Sequence, residues 1–257
     1  MIPVTSCTVA GAGLLGCLDV HAPNLTFYRY RVYNSSAMPN GFAVVQNSAA
    51  QNFLMQSSYI QASTNATNAA QCSGSQQCYF LGCTVVGGST TVNMTGAGSA
   101  LYGNIIYGSG VNGVNMASTG GSFINNSIYQ APNDALRITV GPANGASIIN
   151  NYFECASGGT GIDLVASTNT LHLSGNAYSG CTVNVSTNAL EGFSIYDNGA
   201  LSQSALVAPS SQNFALKPNG KNIAFPGLFE NLPNQPASYF DVGAVQGPTD
   251  SAFTFGN

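Results

Sequence analysis

The chain is 257 residues long with a formal net charge of −4, and only 5% of its residues are charged; an ordinary globular domain carries about 25%, so a Glu/Lys-rich helical protein is excluded. Its five basic residues, Arg29, Arg31, Arg137, Lys217 and Lys221, form no stripe able to neutralise phosphates, which excludes a nucleic-acid partner. At 44% hydrophobic and 10% aromatic it is too apolar for a disordered chain, yet no apolar run reaches the ~18–20 residues of a membrane span.

Thirty glycines, with Ser, Thr and Asn dominating the polar set, imply many tight bends, several in the left-handed region. The reading is all-β. Residues 1–23 hold short apolar stretches at 7–9 and 14–20, broken by Gly, and are expected to form an irregular first coil. They lack the basic start of a signal peptide, and residues 1–18 contain no charge.

From Asn24 a repeat can be registered. The segments LYGNIIYG, SFINNSIYQ, ASIINNYFE and LHLSGNAYS carry one pattern, each followed by a second apolar stretch: GVNMAS, ALRITV, GIDLVA and TVNVST. First-strand anchors at Tyr28, Met55, Leu81, Tyr102, Ile124, Ile149, Leu173 and Ile195 lie 21–27 residues apart. Second-strand anchors at Val44, Ala70, Val92, Val114, Leu136, Ile162, Val183 and Ala205 keep step with them. Units of this length are too short for a strand, a helix and their turns, and they fit coils of two or three strands. The expectation is a right-handed parallel β-helix, a solenoid of about eight or nine rungs over residues 1–208, roughly 40 Å long at ~4.8 Å per coil. Asn104, Asn126, Asn151, Gly175 and Asp197 follow the first-strand anchors by two residues. They are expected at an αL bend, where stacked asparagines form a hydrogen-bonded ladder.

Seven cysteines point to an oxidising compartment. Cys7 with Cys17, Cys72 with Cys78, and Cys155 with Cys181 are the candidate disulfides, the last joining neighbouring coils. Cys83 is left over. That all seven are small buried hydrophobes is the alternative.

From Pro209 the periodicity stops. Pro209, Pro218, Pro226, Pro233 and Pro236 break strands, so 209–257 is expected to be a Pro-rich segment packing on the solenoid, with Asp241 capping a turn. Its QNFALKPNGKNIA and the later YFDVGAVQ at 239–246 resemble the terminal segment of the bacterial right-handed parallel β-helix repeat proteins, related to the pectin-lyase-like superfamily. There, a D-F-x-L-x-P-x-S-P-A-I stretch leads into a D-I-G-A close. Here Asn213 replaces the Asp, and residues 220–222 replace the Ser-Pro-Ala. The resemblance covers roughly residues 20–246. It implies an extracellular or cell-surface location and no single activity.

Enzymes of that superfamily act on polysaccharide in a groove along the rod, the lyases with Ca²⁺ and a basic residue, the hydrolases with paired aspartates. In this chain the acids of the repeats are Asp134, Glu154, Asp163, Glu191 and Asp197. No two are adjacent, and neither Gly-His-Gly nor Arg-Ile-Lys occurs. The residues after the second-strand anchors, Asn93, Asn115, Arg137, Asp163 and Asn184, should face outward. Arg137 and Asp163 then meet on neighbouring coils as a surface ion pair of ~0–1 kcal/mol, or as the centre of a polar groove for saccharide with Asp134 and Glu154 at its rim. These four are the weak catalytic candidates. His21 and His172 are isolated and read as structural. Sequons at Asn24, Asn34, Asn65, Asn93, Asn125 and Asn184 matter only where exports are glycosylated.

No cofactor and no metal site are expected. The favoured function is a non-catalytic extracellular structural or adhesive β-helix. Its uncharged N-terminal stretch favours head-to-tail self-association, because exposed strand edges seek partners. Covered ends are the alternative to association, and a polysaccharide lyase or glycoside hydrolase is the alternative function.

Overall fold

A computed structural model describes residues 4–7, 15–34, 41–46, 50–73, 77–117, 120–139, 146–156, 158–165, 172–187, 194–196, 199–201, 206–208, 211 and 213–216. Successive strands are dealt in turn to three parallel sheets, here A, B and C, of nine, eight and eight strands. Each turn of the chain therefore lays down three strands, and every strand inside a sheet pairs with the strand one turn earlier and one turn later. This is a parallel β-helix. The strands Val4–Cys7 and Leu15–Val20, before Asn24, already belong to it, pairing with Arg31–Asn34 and Gly41–Gln46.

The repeat explains itself locally. In LYGNIIYG, the strand Ala100–Tyr102 belongs to sheet C and Ile105–Tyr107 to sheet A, with Gly103–Asn104 as the corner between them. Gly103 has φ +65°, and the corresponding corners use Gly82, Asn125, Asn150 and Gly175 at φ +60°, +55°, +56° and +66°. Glycine reaches that region without strain, and asparagine tolerates it. The left-handed residue is the one before the ladder asparagine, not the ladder residue itself. The ladder is Asn104, Asn126, Asn151 and Asn176, so Asn176 takes the place expected for Gly175. Asn104 Nδ2 donates to Asn126 Oδ1 (2.9 Å), Asn126 Nδ2 to Asn151 Oδ1 (3.1 Å), and Asn151 Nδ2 to Asn176 Oδ1 (3.0 Å). Each oxygen also accepts from the backbone N–H one coil earlier, at 2.8–3.0 Å. All four side chains are fully buried, and they satisfy corner groups that water cannot reach.

The core is three columns that meet in the interior. Sheet B contributes Val44, Ala70, Val92, Val114, Leu136 and Ile162, all at 0% exposure, as six of the second-strand anchors require. Val183 does not point inward: it is 41% exposed, and Val185 pairs with Ile162. Sheet C contributes Phe27, Met55, Phe80, Leu101, Phe123, Ile148 and Leu173 in register, and the side chain of Ile195 lies outside the described ones. Met55 and Leu173 are inward as expected. Tyr28, Leu81, Tyr102 and Ile124 are each one residue out of register and face away from the core, Tyr28 at 49% exposure and Tyr102 at 36%, whereas Ile149 shares their register, with Ile148 inward of it, yet is itself buried at 8%. A one-residue slip reverses the face, and the pairs Phe80-Leu81, Leu101-Tyr102, Phe123-Ile124 and Ile148-Ile149 are apolar on both faces. Sheet A supplies a third column, Val32, Ile60, Val85, Ile106, Ile128, Phe153 and Tyr178, which the two-strand register did not resolve.

Ring stacking runs along the interior, Phe123 on Phe153 at 6.0 Å and Phe153 on Tyr178 at 5.5 Å, with planes 12° and 17° apart. Cys155–Cys181 joins consecutive coils with Cα atoms 4.8 Å apart, and Cys72–Cys78 closes a loop. Cys17 is also disulfide-bonded, and the side chain of Cys7 lies outside the described ones. Cys83 is a free, buried thiol. Disulfides of this kind fit an oxidising compartment. Leu206–Ala208 and Asn213–Leu216 form an antiparallel pair. Glu191, Asp197, Ala205, the five prolines from Pro209 to Pro236, Asp241 and residues 239–246 lie outside the described residues.

Candidate functional site

The outward face of sheet B is one polar strip. In register along it stand Gln71, Asn93, Asn115, Arg137, Asp163 and Ser186. Alternation turns these side chains out because their neighbours Val92, Val114, Leu136 and Ile162 turn in. Ser186 takes the position expected for Asn184, a consequence of the Val183-to-Val185 correction. The amides form a relay: Asn115 Nδ2 donates to Asn93 Oδ1 (2.8 Å), and Asn93 Nδ2 donates to Gln71 Oε1 (2.8 Å). Asn68 Nδ2 also donates to Gln71 Oε1, at 2.6 Å.

The relay leads to a charge cluster. Arg137 Nε lies 3.8 Å from Asp163 Oδ2 and 3.9 Å from Asp134 Oδ2. Both separations exceed hydrogen-bonding range, and this buried nitrogen has no hydrogen-bond partner among the described residues. Ser186 Oγ donates to Asp163 Oδ1 (2.9 Å), and the Asp134 backbone N–H donates to Asn112 Oδ1 (3.3 Å). Burial first, then the charge of Asp163, holds the Asp134 carboxyl above its usual range, against the opposing pull of Arg137 and Thr160. Two carboxylates share one guanidinium, so the cluster has one net negative charge when both ionise. It can hold a polar or cationic group. A proton on Asp134 is retained more readily than on an exposed aspartate.

Glu154 is not at the rim of this strip. It is on sheet A, where it pairs with Tyr129 and Ser179. It is 8% exposed and accepts a 2.6 Å hydrogen bond from Tyr152 Oη. The third strand of each coil, which the two-strand register did not separate, moves it to a different face. His21 Nε2 sits 3.0 Å from Asp19 Oδ1, and His172 is exposed on sheet C. Of the sequon asparagines, Asn24 and Asn65 are exposed. Asn34 is buried and donates to the Phe42 carbonyl at 2.8 Å, and Asn93 is part of the relay. Among the described residues no group of three or more His, Cys, Asp or Glu is placed to hold a metal ion, and no helix is long and apolar enough to cross a membrane.

Sequence reasoning missed the outward face of sheet A. Tyr33, Tyr59, Tyr107 and Tyr129 point outward there and are all half-buried. Tyr33 and Tyr59 rings lie 5.6 Å apart. The 22-residue step from Tyr107 to Tyr129, equal to one coil, is the signal that could have found it.

Fold and face together define a parallel β-solenoid with one amide-rich face, one tyrosine-rich face, and a charge cluster on the sixth and seventh of the eight sheet B strands. No family model, no curated protein and no solved structure matches the chain.

Proposed function

We propose that the chain is a non-catalytic, extracellular structural or adhesive β-helix that associates end to end into a filament. The observation that carries this is the pairing pattern. Interior strands have a partner on both sides, whereas Leu15–Val20 and Val183–Thr187 at the two ends of sheet B have one each among the described residues. Terminal strands with unpaired N–H and C=O groups seek a cover, and one end of a rod is a ready template for the other. Such a head-to-tail contact does not close, so it propagates. The disulfides support the extracellular setting. The engagement of the four described acids supports the non-catalytic part: Asp19 with His21, Asp134 and Asp163 with Arg137, and Glu154 with Tyr152. Light scattering and negative-stain microscopy of the purified protein test it. Growing filaments are expected, and a monomer at high concentration overturns the filament.

A second reading is favoured by one observation, the raised Asp134 carboxyl beside Arg137 and Asp163. A carboxylic acid that keeps its proton is what a general acid requires. On that reading the protein is a polysaccharide lyase or glycoside hydrolase. It would release unsaturated or reducing sugars from pectate or alginate, and Asp163→Ala would abolish the release.

A further inference from the structure

We propose that the outward tyrosine face of sheet A is a glycan-binding strip, and that its ligand is an unbranched, uncharged polysaccharide chain lying along the rod. The inference rests on the adhesive reading above and names its ligand and its surface.

The strip is set by register. One outward column reads Tyr33, Gln61, Val86, Tyr107 and Tyr129, and its neighbour reads Tyr59, Thr84, Ile105 and Ser127. Successive members of a column are one coil apart, about 4.8 Å, so Tyr33 and Tyr59 mark two consecutive coils and Tyr107 and Tyr129 two more along the rod axis, with Thr84 and Val86 on the coil between the pairs. Phenol rings suit saccharides because each has an apolar face for the C–H face of a sugar and a hydroxyl for its rim, although the Tyr107 oxygen is buried against Tyr59 and leaves only its ring to a ligand. Polar groups stand beside the rings: Tyr59 Oη donates to Gln61 Oε1 at 3.1 Å, and Thr84 is half-buried in the adjacent position. Burial, then the neighbouring Tyr59, holds the Tyr107 hydroxyl above its usual range. Burial, then Glu154, does the same for Tyr129. Both hydroxyls therefore remain protonated.

Charge chooses the ligand class. Between Arg31 at one end and Glu154 at the other, no outward residue of this face is charged. A uronate polymer would find no row of cations, and Glu154 would repel it. A neutral chain meets neither penalty. The amide-rich face of sheet B differs, because its side chains already bond one another and its charge cluster is net negative.

The test uses the full chain, affinity electrophoresis, and three polymers with unbranched backbones: hydroxyethylcellulose, mixed-linkage β-glucan and polygalacturonate. The chain has no Trp and twelve tyrosines, four of them on the strip, so an emission change is assigned to the strip only where the tyrosine variants remove it. Retardation and an emission change are expected with at least one neutral polymer and not with polygalacturonate. Tyr59→Ala/Tyr107→Ala should weaken that binding about tenfold, as the loss of two stacking rings would, and Tyr107→Phe should keep most of it. A thermal melt of each variant separates lost binding from lost fold. Arg137→Ala on sheet B should leave binding unchanged. No retardation by either neutral polymer, preference for polygalacturonate, or binding that survives the double variant in a folded protein overturns the proposal. Binding lost in Arg137→Ala alone refutes the tyrosine strip while leaving an adhesive protein, and absence of filaments bears on the end-to-end reading only.

Discussion

At the scale of single residues, Cys83 is an interrupted rung of the asparagine ladder. Its backbone N–H donates to Asn104 Oδ1 at 2.8 Å, and its thiol reaches the Met55 carbonyl at 3.3 Å. Asn104, Asn126, Asn151 and Asn176 make the equivalent bond to Phe80, Leu101, Phe123 and Ile148, at 2.8–3.0 Å. Burial pushes the Cys83 thiol up to about 12, so it is an inert, weak donor. Cys83→Asn should extend the ladder by one rung and raise the unfolding free energy by about 1 kcal/mol, the net worth of a good hydrogen bond. Asn126→Ala should lower it by about 2–4 kcal/mol, because it strands the buried donors of Asn104 and the Leu101 carbonyl. Urea unfolding measures both. Asp134 gives a pH signature. Its carboxyl is raised, so the folded state holds the proton more tightly than the unfolded chain does. Its contribution is thus present below the ordinary carboxylate range and lost as pH rises through the raised value. Asp134→Asn should melt above the parent protein at pH 7 and level with it near pH 3. The reverse order would refute the assignment.

At the scale of the strand, the question is which of two adjacent apolar residues faces the core. Leu101 is fully buried and Tyr102 is 36% exposed. Leu101→Ala should cost about 2–5 kcal/mol, whereas Tyr102→Ala should stay under about 1 kcal/mol. Equal costs would mean a different register. The coil-to-coil bond belongs to this scale too. Cys155–Cys181 closes a span of 26 residues, so replacing both cysteines by alanine should lower the unfolding free energy by about 3 kcal/mol. Denaturant midpoints measured without reductant provide the check.

At the scale of the whole molecule, parallel stacking divides what was legible from what was not. The period of the repeat, the all-β class, the asparagine ladder, the six inward anchors from Val44 to Ile162, and the pairing of Cys155 with Cys181 could all be read along the chain. Each depends on spacing, and a solenoid converts spacing directly into contact between neighbouring coils. The face of most sheet C strands could not be read, although Met55 and Leu173 were, because strands of three or four residues with apolar residues on both sides carry no alternation. Nor could the third sheet, because Gly103–Asn104 and its counterparts turn the chain within what reads as one apolar stretch. That hidden corner is why Glu154 seemed to border Arg137 and Asp163 yet lies on another face, and why the tyrosines of sheet A went unseen. Sequence alone therefore determined the architecture and its period. Tertiary structure alone decided which side chains share a surface, because a corner rotates every residue beyond it to a new face and linear spacing does not encode that rotation.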